Sequence, residues 1–474
     1  MRCAGSVAHV FETLRRELDL PAAERSDDFP DDVLAEAEEV AARGPLATTD
    51  RTGLPFVTID PPGAMDLDQA VHLERRDGGF RVHYAIADLG VVPLGGAIDT
   101  EARGRGQTIY LPDGRVPLHP PVLSEGALSL LPDQVRGAVL WTIDLDVDGA
   151  VVAHRVERAL VRSVARLDYA TVQADADAGR LHPSIEALRD VGRLRRAVRV
   201  AAGALELGLP DQEVVPDEAT SGGWRAVWRV RREADDWNAE ISLLTGTVAA
   251  SIMLEARVGL LRTLPDPDPR DVQRFLARAR ALGVDAGDDP AALLDGLDAD
   301  DVTHLAVMTD ATRLLRGASF AAFDGEPPAT PGHAGVGAPY AQVTAPLRRL
   351  ADRFASEVCL AVSSGGEVPT ALREALPSVP DAMRASDALA SRATRGVLDR
   401  VEASMLAPFV GQELEALVVD VDGQDADVML LEPAVLVATD AGAGSARLRE
   451  GERRQVRVVA ADPAAGVVHL TPTG

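Results

Sequence analysis

Polar and apolar positions along this chain fall into three regimes. The first is helical. In "DDVLAEAEEVAARG" apolar residues recur every three to four positions until Gly44, which predicts a short amphipathic helix within an acidic leading segment, residues 1–50. From residue 54 the period becomes two. "LPFVTID", "AVHLE", "FRVHYAIAD" and "AVLWTIDLDVDGAVV" read as strands, with Asp148-Gly149 as a hairpin turn. Helical spacing returns at Trp237, Ile241, Leu244, Val248 and Ile252, and again at Val272, Phe275, Leu276, Ala279 and Leu282 before Gly283. "VDAGDDPAALLDGLDADD" reads as a solvated acidic loop with a short helix. Helix is expected once more over 365–405, after the turn "SSGGE". From about 409 the chain reverts to short strands, "ELEALVVDVD", "ADVMLLEP", "RRQVRVVAAD" and "GVVHLTP", split by Gly and Asp turns. Such strands predict a small barrel of the OB type. The fold class is therefore α+β: a mixed body over 51–360, a helical connector over 361–408 and a β-barrel over 409–474.

At 474 residues the chain can bury a sizeable core and form two or three domains. Its apolar runs fall short of the roughly 18–20 residues of a membrane helix, and its first residues lack a basic-then-apolar leader. Cys3 and Cys359 are too few for a disulfide framework or a zinc site, so an intracellular, cytoplasmic protein without membrane contact is expected. Charge narrows the picture further. Acidic residues number 74 against 48 basic ones, a net charge of -26, and every one of those basic residues is arginine. A chain this acidic will not coat nucleic acid through a broad field. It can still enclose a local arginine channel, because arginine suits bidentate phosphate contacts.

The candidate chemistry lies in "TIDPPGAMDLDQAVHLE", which gathers Asp60, Asp66 and Asp68 within nine residues. Carboxylates this close repel one another unless a cation sits among them. Mg²⁺ is the natural solution, since it takes carboxylate oxygens and keeps several waters. Asp60 ends a strand, "PPGAM" forms a tight loop, and Asp66 and Asp68 project the same way from an extended segment. On these residues alone, an acidic surface loop or a Ca²⁺ loop reads equally well.

Four ordered blocks change the balance. "LPFVTIDPPGAMDLDQAV", "HYAIADLGVVPLGGAIDTEARGRG", "TIYLPDGRVPLHPPVLSEGALSLLP" and "HAGVGAPYAQVTAPLRRLAD" together resemble the catalytic domain of the ribonuclease II/ribonuclease R family, hydrolytic 3′-to-5′ exoribonucleases. The resemblance covers about residues 30–360, with a weaker echo in the barrel. It implies that Asp60, Asp66 and Asp68 hold metal and that Asp68 and Arg348 are catalytic. It also implies that Tyr110 stacks on the terminal nucleotide, and that Tyr169, Glu240 and Arg349 belong to the RNA path. The implied cofactor is Mg²⁺, with Mn²⁺ possible; the implied partner is single-stranded RNA rather than DNA, cut to 5′-mononucleotides. For the tyrosines the alternative is core packing, and for Arg348 and Arg349 a surface salt bridge; His333 reads as structural.

The pattern breaks at three positions. Gln69 occupies the place of a fourth aspartate; it is uncharged, and its amide oxygen can accept a hydrogen bond or ligate a metal. Ala345 replaces a serine and Leu350 a tyrosine. Residues 1–50 are also too few for the paired cold-shock barrels of longer members. A catalytically weak RNA-binding relative is therefore the alternative reading. A metal phosphoesterase acting on small nucleotides is a third, disfavoured by the barrel.

Overall fold

The computed structural model describes residues 7–25, 27–217, 223–229, 231–442 and 447–473; Cys3 lies outside them. The body is built on five strands: β1 (Phe56–Ile59), β2 (Gln69–Arg76), β3 (Gly79–Ala87), β4 (Val135–Asp146) and β5 (Val151–Leu167). They pair in the order β5-β1-β2-β3-β4, and β4 pairs back to β5, so the sheet closes on itself. β1 lies parallel to β5 with Ile59 opposite Leu167, while the other pairings are antiparallel. Period-two alternation puts Val57, Val71, Tyr84 and Trp141 on one face of neighbouring strands and Phe56, Ala70, Ala85 and Leu140 on the other; both sets are buried, in separate clusters.

The face carrying Tyr84 and Trp141 packs in the same core as Trp237, Ile241, Leu244 and Val248 of the helix Glu233–Ala256. By length and composition alone this helix is apolar enough to cross a membrane, which corrects the expectation drawn from the sequence. Its apolar residues are spent on the core, so the helix reads as the body's central packing element. Gly246 on it has a specific task. A Cβ there would stand 2.1 Å from Cε2 of Tyr340 and 2.5 Å from the Ala341 carbonyl oxygen. Its absence lets the segment after residue 338 lie against the helix, where the Ala341 N–H donates to the Gly246 carbonyl at 3.1 Å.

The acidic stretch 284–301 contains the helix Pro290–Asp295, whose Leu293 and Leu294 are buried against Phe275 and Leu276. It is therefore a packed element as well as a solvated one. A hairpin absent from the sequence reading, Asp211–Asp217 with Gly223–Arg229, packs on the long helix Val379–Leu406. Beyond that helix, β6 (Glu413–Asp422), β7 (Asp425–Leu430), β8 (Leu436–Asp440), β9 (Arg453–Asp462) and β10 (Val467–Pro472) form an antiparallel sheet in the order β8-β7-β6-β9-β10. Thr439 Oγ1 donates to the Leu470 carbonyl at 3.0 Å, joining the two edge strands.

Candidate active site

The acidic loop between β1 and β2 is held by one serine. Ser129 Oγ accepts the Leu67 N–H at 3.0 Å and donates to the Met65 carbonyl at 2.6 Å, fixing the backbone on either side of Asp66. Asp68, at the end of this loop, is buried. Its Oδ1 accepts the Leu347 N–H at 2.7 Å, Oδ2 has no hydrogen-bond partner, and Arg348 Nε stands 3.4 Å from Oδ2. Burial pushes the Asp68 carboxyl up to about 8, against the pull of Arg348 and the Leu347 N–H. Asp60 is pushed up to about 7 by burial and by the charge of Asp66, with Arg348 and Arg166 opposing. Its Oδ2 is likewise buried without a partner.

The arginine segment is set by Asp352, a fully buried residue that the sequence reading passed over. Asp352 accepts the Ala345 N–H at 2.7 Å and is gripped by Arg349 through Nε at 3.1 Å and Nη2 at 2.8 Å. Arg349 is thus committed to a bidentate ion pair, and Arg348 beside it is left 43% exposed. The substituted position Leu350 is buried in the main core, and its N–H donates to the Gly106 carbonyl at 2.9 Å. The Arg348 carbonyl accepts the Thr108 N–H at 3.0 Å, which brings in the segment carrying Tyr110. Tyr110 is 52% exposed, so core packing is excluded, and its hydroxyl donates to Asp66 Oδ2 at 3.3 Å.

Beside this cluster opens a cavity of about 1730 Å³ whose wall includes Gln69, Tyr169, Glu240, Arg348 and Arg349. Tyr169 follows Asp168, which caps the helix Tyr169–Asp177, and its hydroxyl accepts Asn238 Nδ2 at 3.3 Å. Glu240 is buried and bound by Arg199 through Nε at 3.0 Å and Nη2 at 2.5 Å. Other wall arginines are also paired: Arg196 reaches Glu206 at 2.8 Å and Asp295 at 2.6 Å. The expected arginine channel is therefore largely charge-compensated. His333, stacked edge-on to Tyr340 with centroids 5.5 Å apart, is held neutral by burial and by Arg262, which push its pKa down to about 4.

Gln69 is not free to ligate a metal through its amide oxygen, as the sequence reading had allowed. That oxygen accepts the buried Tyr84 hydroxyl, and Ser242 Oγ lies 2.8 Å from the same hydroxyl. Nor do Asp60, Asp66 and Asp68 form the expected ligand set as a unit. Among the described residues no group of three or more His, Cys, Asp or Glu side chains is placed to hold a metal ion. The donor chemistry nevertheless fits a hard divalent cation: two carboxylates each keep a buried oxygen that accepts no hydrogen bond.

Residues 48–362 match the RNB domain family, and residues 412–473 match the RNase II-type exonuclease C-terminal S1 domain. The chain belongs to the RNB-domain family. Ribonuclease R of Escherichia coli (strain K12) is 28% identical over 417 residues, which cover 81% of this chain and 50% of that protein. The Exosome complex exonuclease RRP44 homolog A of Arabidopsis thaliana is 29% identical over 342 residues, covering 68% of this chain and 36% of the relative. The chain thus spans half or less of the length of these curated relatives. Among solved structures, Mycoplasma genitalium RNase R in complex with ribose methylated single-stranded RNA superposes with a TM-score of 0.83 at 19% identity, covering 98% of this chain and 78% of that one. Yeast Ssd1, described as a pseudonuclease, superposes with a TM-score of 0.66 at 18% identity, over 83% of this chain and 50% of that one. At such identities these likenesses show the fold. Within the RNB domain the closed barrel, the acidic loop and the arginine segment meet at Asp68; the S1 domain is the sheet β6–β10.

Proposed function

We propose that this RNB-domain protein is a 3′-to-5′ exoribonuclease that hydrolyses single-stranded RNA to 5′-mononucleotides with the help of Mg²⁺, Mn²⁺ being able to replace it. The carrying observation is the Asp68–Arg348 pair: a buried carboxylate whose Oδ2 accepts no hydrogen bond and faces an arginine that is 43% exposed at the cavity wall. Asp68 and Asp60 would hold the cation through the buried oxygens that accept no hydrogen bond. When bound, a divalent cation supplies positive charge to the scissile phosphate and its attacking water. Arg348, loosely held at 3.4 Å, can turn from Asp68 to the phosphate and stabilise charge there as a rigid donor. Tyr110, exposed beside Asp66, offers a face on which a terminal base can stack without sequence preference. Tyr169, Glu240 and Arg349 would line the RNA path, the last two acting through ion pairs that shape the wall.

The second reading, a catalytically weak RNA-binding relative, is favoured by the neutral Gln69 and by the structural likeness to a pseudonuclease. Incubation of a 5′-labelled oligoribonucleotide with the protein and Mg²⁺, product lengths followed over time, separates the two. A ladder shortening from the 3′ end and stopping a few nucleotides from the 5′ end is expected. Binding without shortening selects the weak relative, and internal fragments reject both.

A further inference from the structure

The Gln69 amide is anchored at one end and open at the other. Tyr84 is fully buried, and burial pushes its phenol far above the usual range, so it stays protonated and donates. It donates to Gln69 Oε1, and Ser242 Oγ at 2.8 Å can in turn donate to the Tyr84 oxygen. This hydroxyl chain runs from the central helix through β3 to β2. It assigns the amide oxygen to the protein interior. The Gln69 Nε2 group makes no hydrogen bond within the described residues, and Gln69 lies on the cavity wall with Arg348. A carboxylate here would only accept hydrogen bonds; the anchored amide presents two donors.

We propose that Gln69 is a substrate-contacting residue that donates from Nε2 to a phosphodiester oxygen of the RNA strand, with Tyr84 and Ser242 as positioning residues that orient its amide. This rests on the exoribonuclease reading for the identity of the strand, yet it predicts a contact that needs no metal. An uncharged donor on the same cavity wall as Arg348 adds a directional hydrogen bond to a charged oxygen where a fourth carboxylate would repel it.

The test measures affinity for a 5′-fluorescent oligoribonucleotide by anisotropy in excess chelator, and separately the Mg²⁺ dependence of the initial rate. Gln69→Ala should weaken binding about tenfold and Gln69→Asp at least as much, while the Mg²⁺ concentration giving half-maximal rate stays within about twofold for Gln69→Ala. Tyr84→Phe and Ser242→Ala should each weaken binding about threefold with the melting temperature nearly unchanged, and should add nothing in a Gln69→Ala background. A 2′-deoxy oligonucleotide should show the same Gln69→Ala loss, since the contact is to phosphate. Wild-type affinity in Gln69→Ala, a loss confined to the ribose form, or a Gln69→Asp variant active at lower Mg²⁺ would each overturn the assignment. Additive loss from Tyr84→Phe in the Gln69→Ala background would overturn the orienting chain. A wild type that binds but never cleaves would sink the exoribonuclease reading instead, and the binding arm would still decide on Gln69.

Discussion

Asp68 is the residue on which three separate parts of the chain converge. The acidic loop brings it, the Leu347 N–H orients one oxygen, and Arg348 faces the other. Asp68→Asn keeps an acceptor for Leu347 but removes the charge that would anchor a cation. Hydrolysis should fall by at least about a hundredfold while RNA affinity stays within about threefold, measured by single-turnover cleavage and by anisotropy; near-normal cleavage would show that the catalytic assignment is wrong. Arg348→Lys keeps the charge and loses the planar fork. Turnover should fall about a hundredfold with binding nearly intact, whereas parallel loss of both would make Arg348 a simple backbone-phosphate contact. The residues in these predictions stand out in the sequence because each lies in a short local motif, "MDLDQAV" for Asp68 and "TAPLRR" for Arg348. Asp352, which sets the arginine segment, was hidden in the same block because a buried carboxylate looks like any helix-start acid. Ser242 was hidden for another reason: it meets the Gln69–Tyr84 pair from 173 residues away, and no local pattern encodes a cross-chain hydroxyl.

At the scale of elements, strands β1 to β4 were readable from alternation, and β9 was read with its observed bounds. β5 was not, beyond its first two residues. It runs for 17 residues, its first five are exposed, and the buried positions that follow, Val156, Ala159, Val161 and Ser163, do not keep one period of two. The hairpin Asp211–Asp217 with Gly223–Arg229 escaped because its packed apolar positions, Val214, Trp224, Ala226 and Trp228, are few and set among arginines and acids that pair across the strands. That hairpin meets the helix Val379–Leu406 through Gln212, whose Nε2 donates to Glu402 Oε1 at 2.9 Å. Burial pushes the Glu402 carboxyl up to about 7, the Gln212 bond opposing. The folded chain therefore holds this proton more tightly than the unfolded one. Below the unfolded value near 4.5 the group carries no penalty; stability is lost as pH rises through the window up to about 7 and stays lost above it. Glu402→Gln should therefore stabilise the fold by on the order of 2 kcal/mol at pH 8 and by almost nothing at pH 4.5. Urea denaturation of both proteins at the two pH values checks this; an equal gain at both would trace it to packing instead of the proton.

At the scale of the whole molecule, the S1 barrel is docked on the body through apolar contacts and an arginine–carboxylate clasp. Leu417, Val419 and Met429 of β6 and β7 share a core with Phe275, Leu305 and Leu314, so excising residues 409–474 would strip apolar cover from the body. A gentler probe is the clasp beside it, at a cavity of about 450 Å³. Arg313 Nη2 reaches Asp427 at 2.8 Å and Nη1 contacts Asp420, while Arg278 reaches Asp420 at 2.8 Å and Asp310 at 3.3 Å. Burial pushes Asp420 up, yet the two arginines hold its carboxyl below the usual range. Removing one arginine leaves three carboxylates around the other, two of them, Asp310 and Asp420, buried. Arg313→Ala should cost about 2 kcal/mol, because Asp427 loses its arginine while Asp420 keeps only Arg278, and the barrel should loosen before the body. Arg313→Ala combined with Asp420→Asn should recover part of that loss, because one of the carboxylates crowded around Arg278 is then neutral. Urea melts followed at two probes, one in each domain, read both effects. Single-strand affinity should weaken with the barrel loosened while the cleavage step on bound RNA is unchanged, since the Asp68–Arg348 pair lies wholly in the body. Equal loss in affinity and cleavage rate would mean that the clasp transmits its strain to the catalytic site, and an unchanged affinity would leave the barrel without a part in gripping RNA.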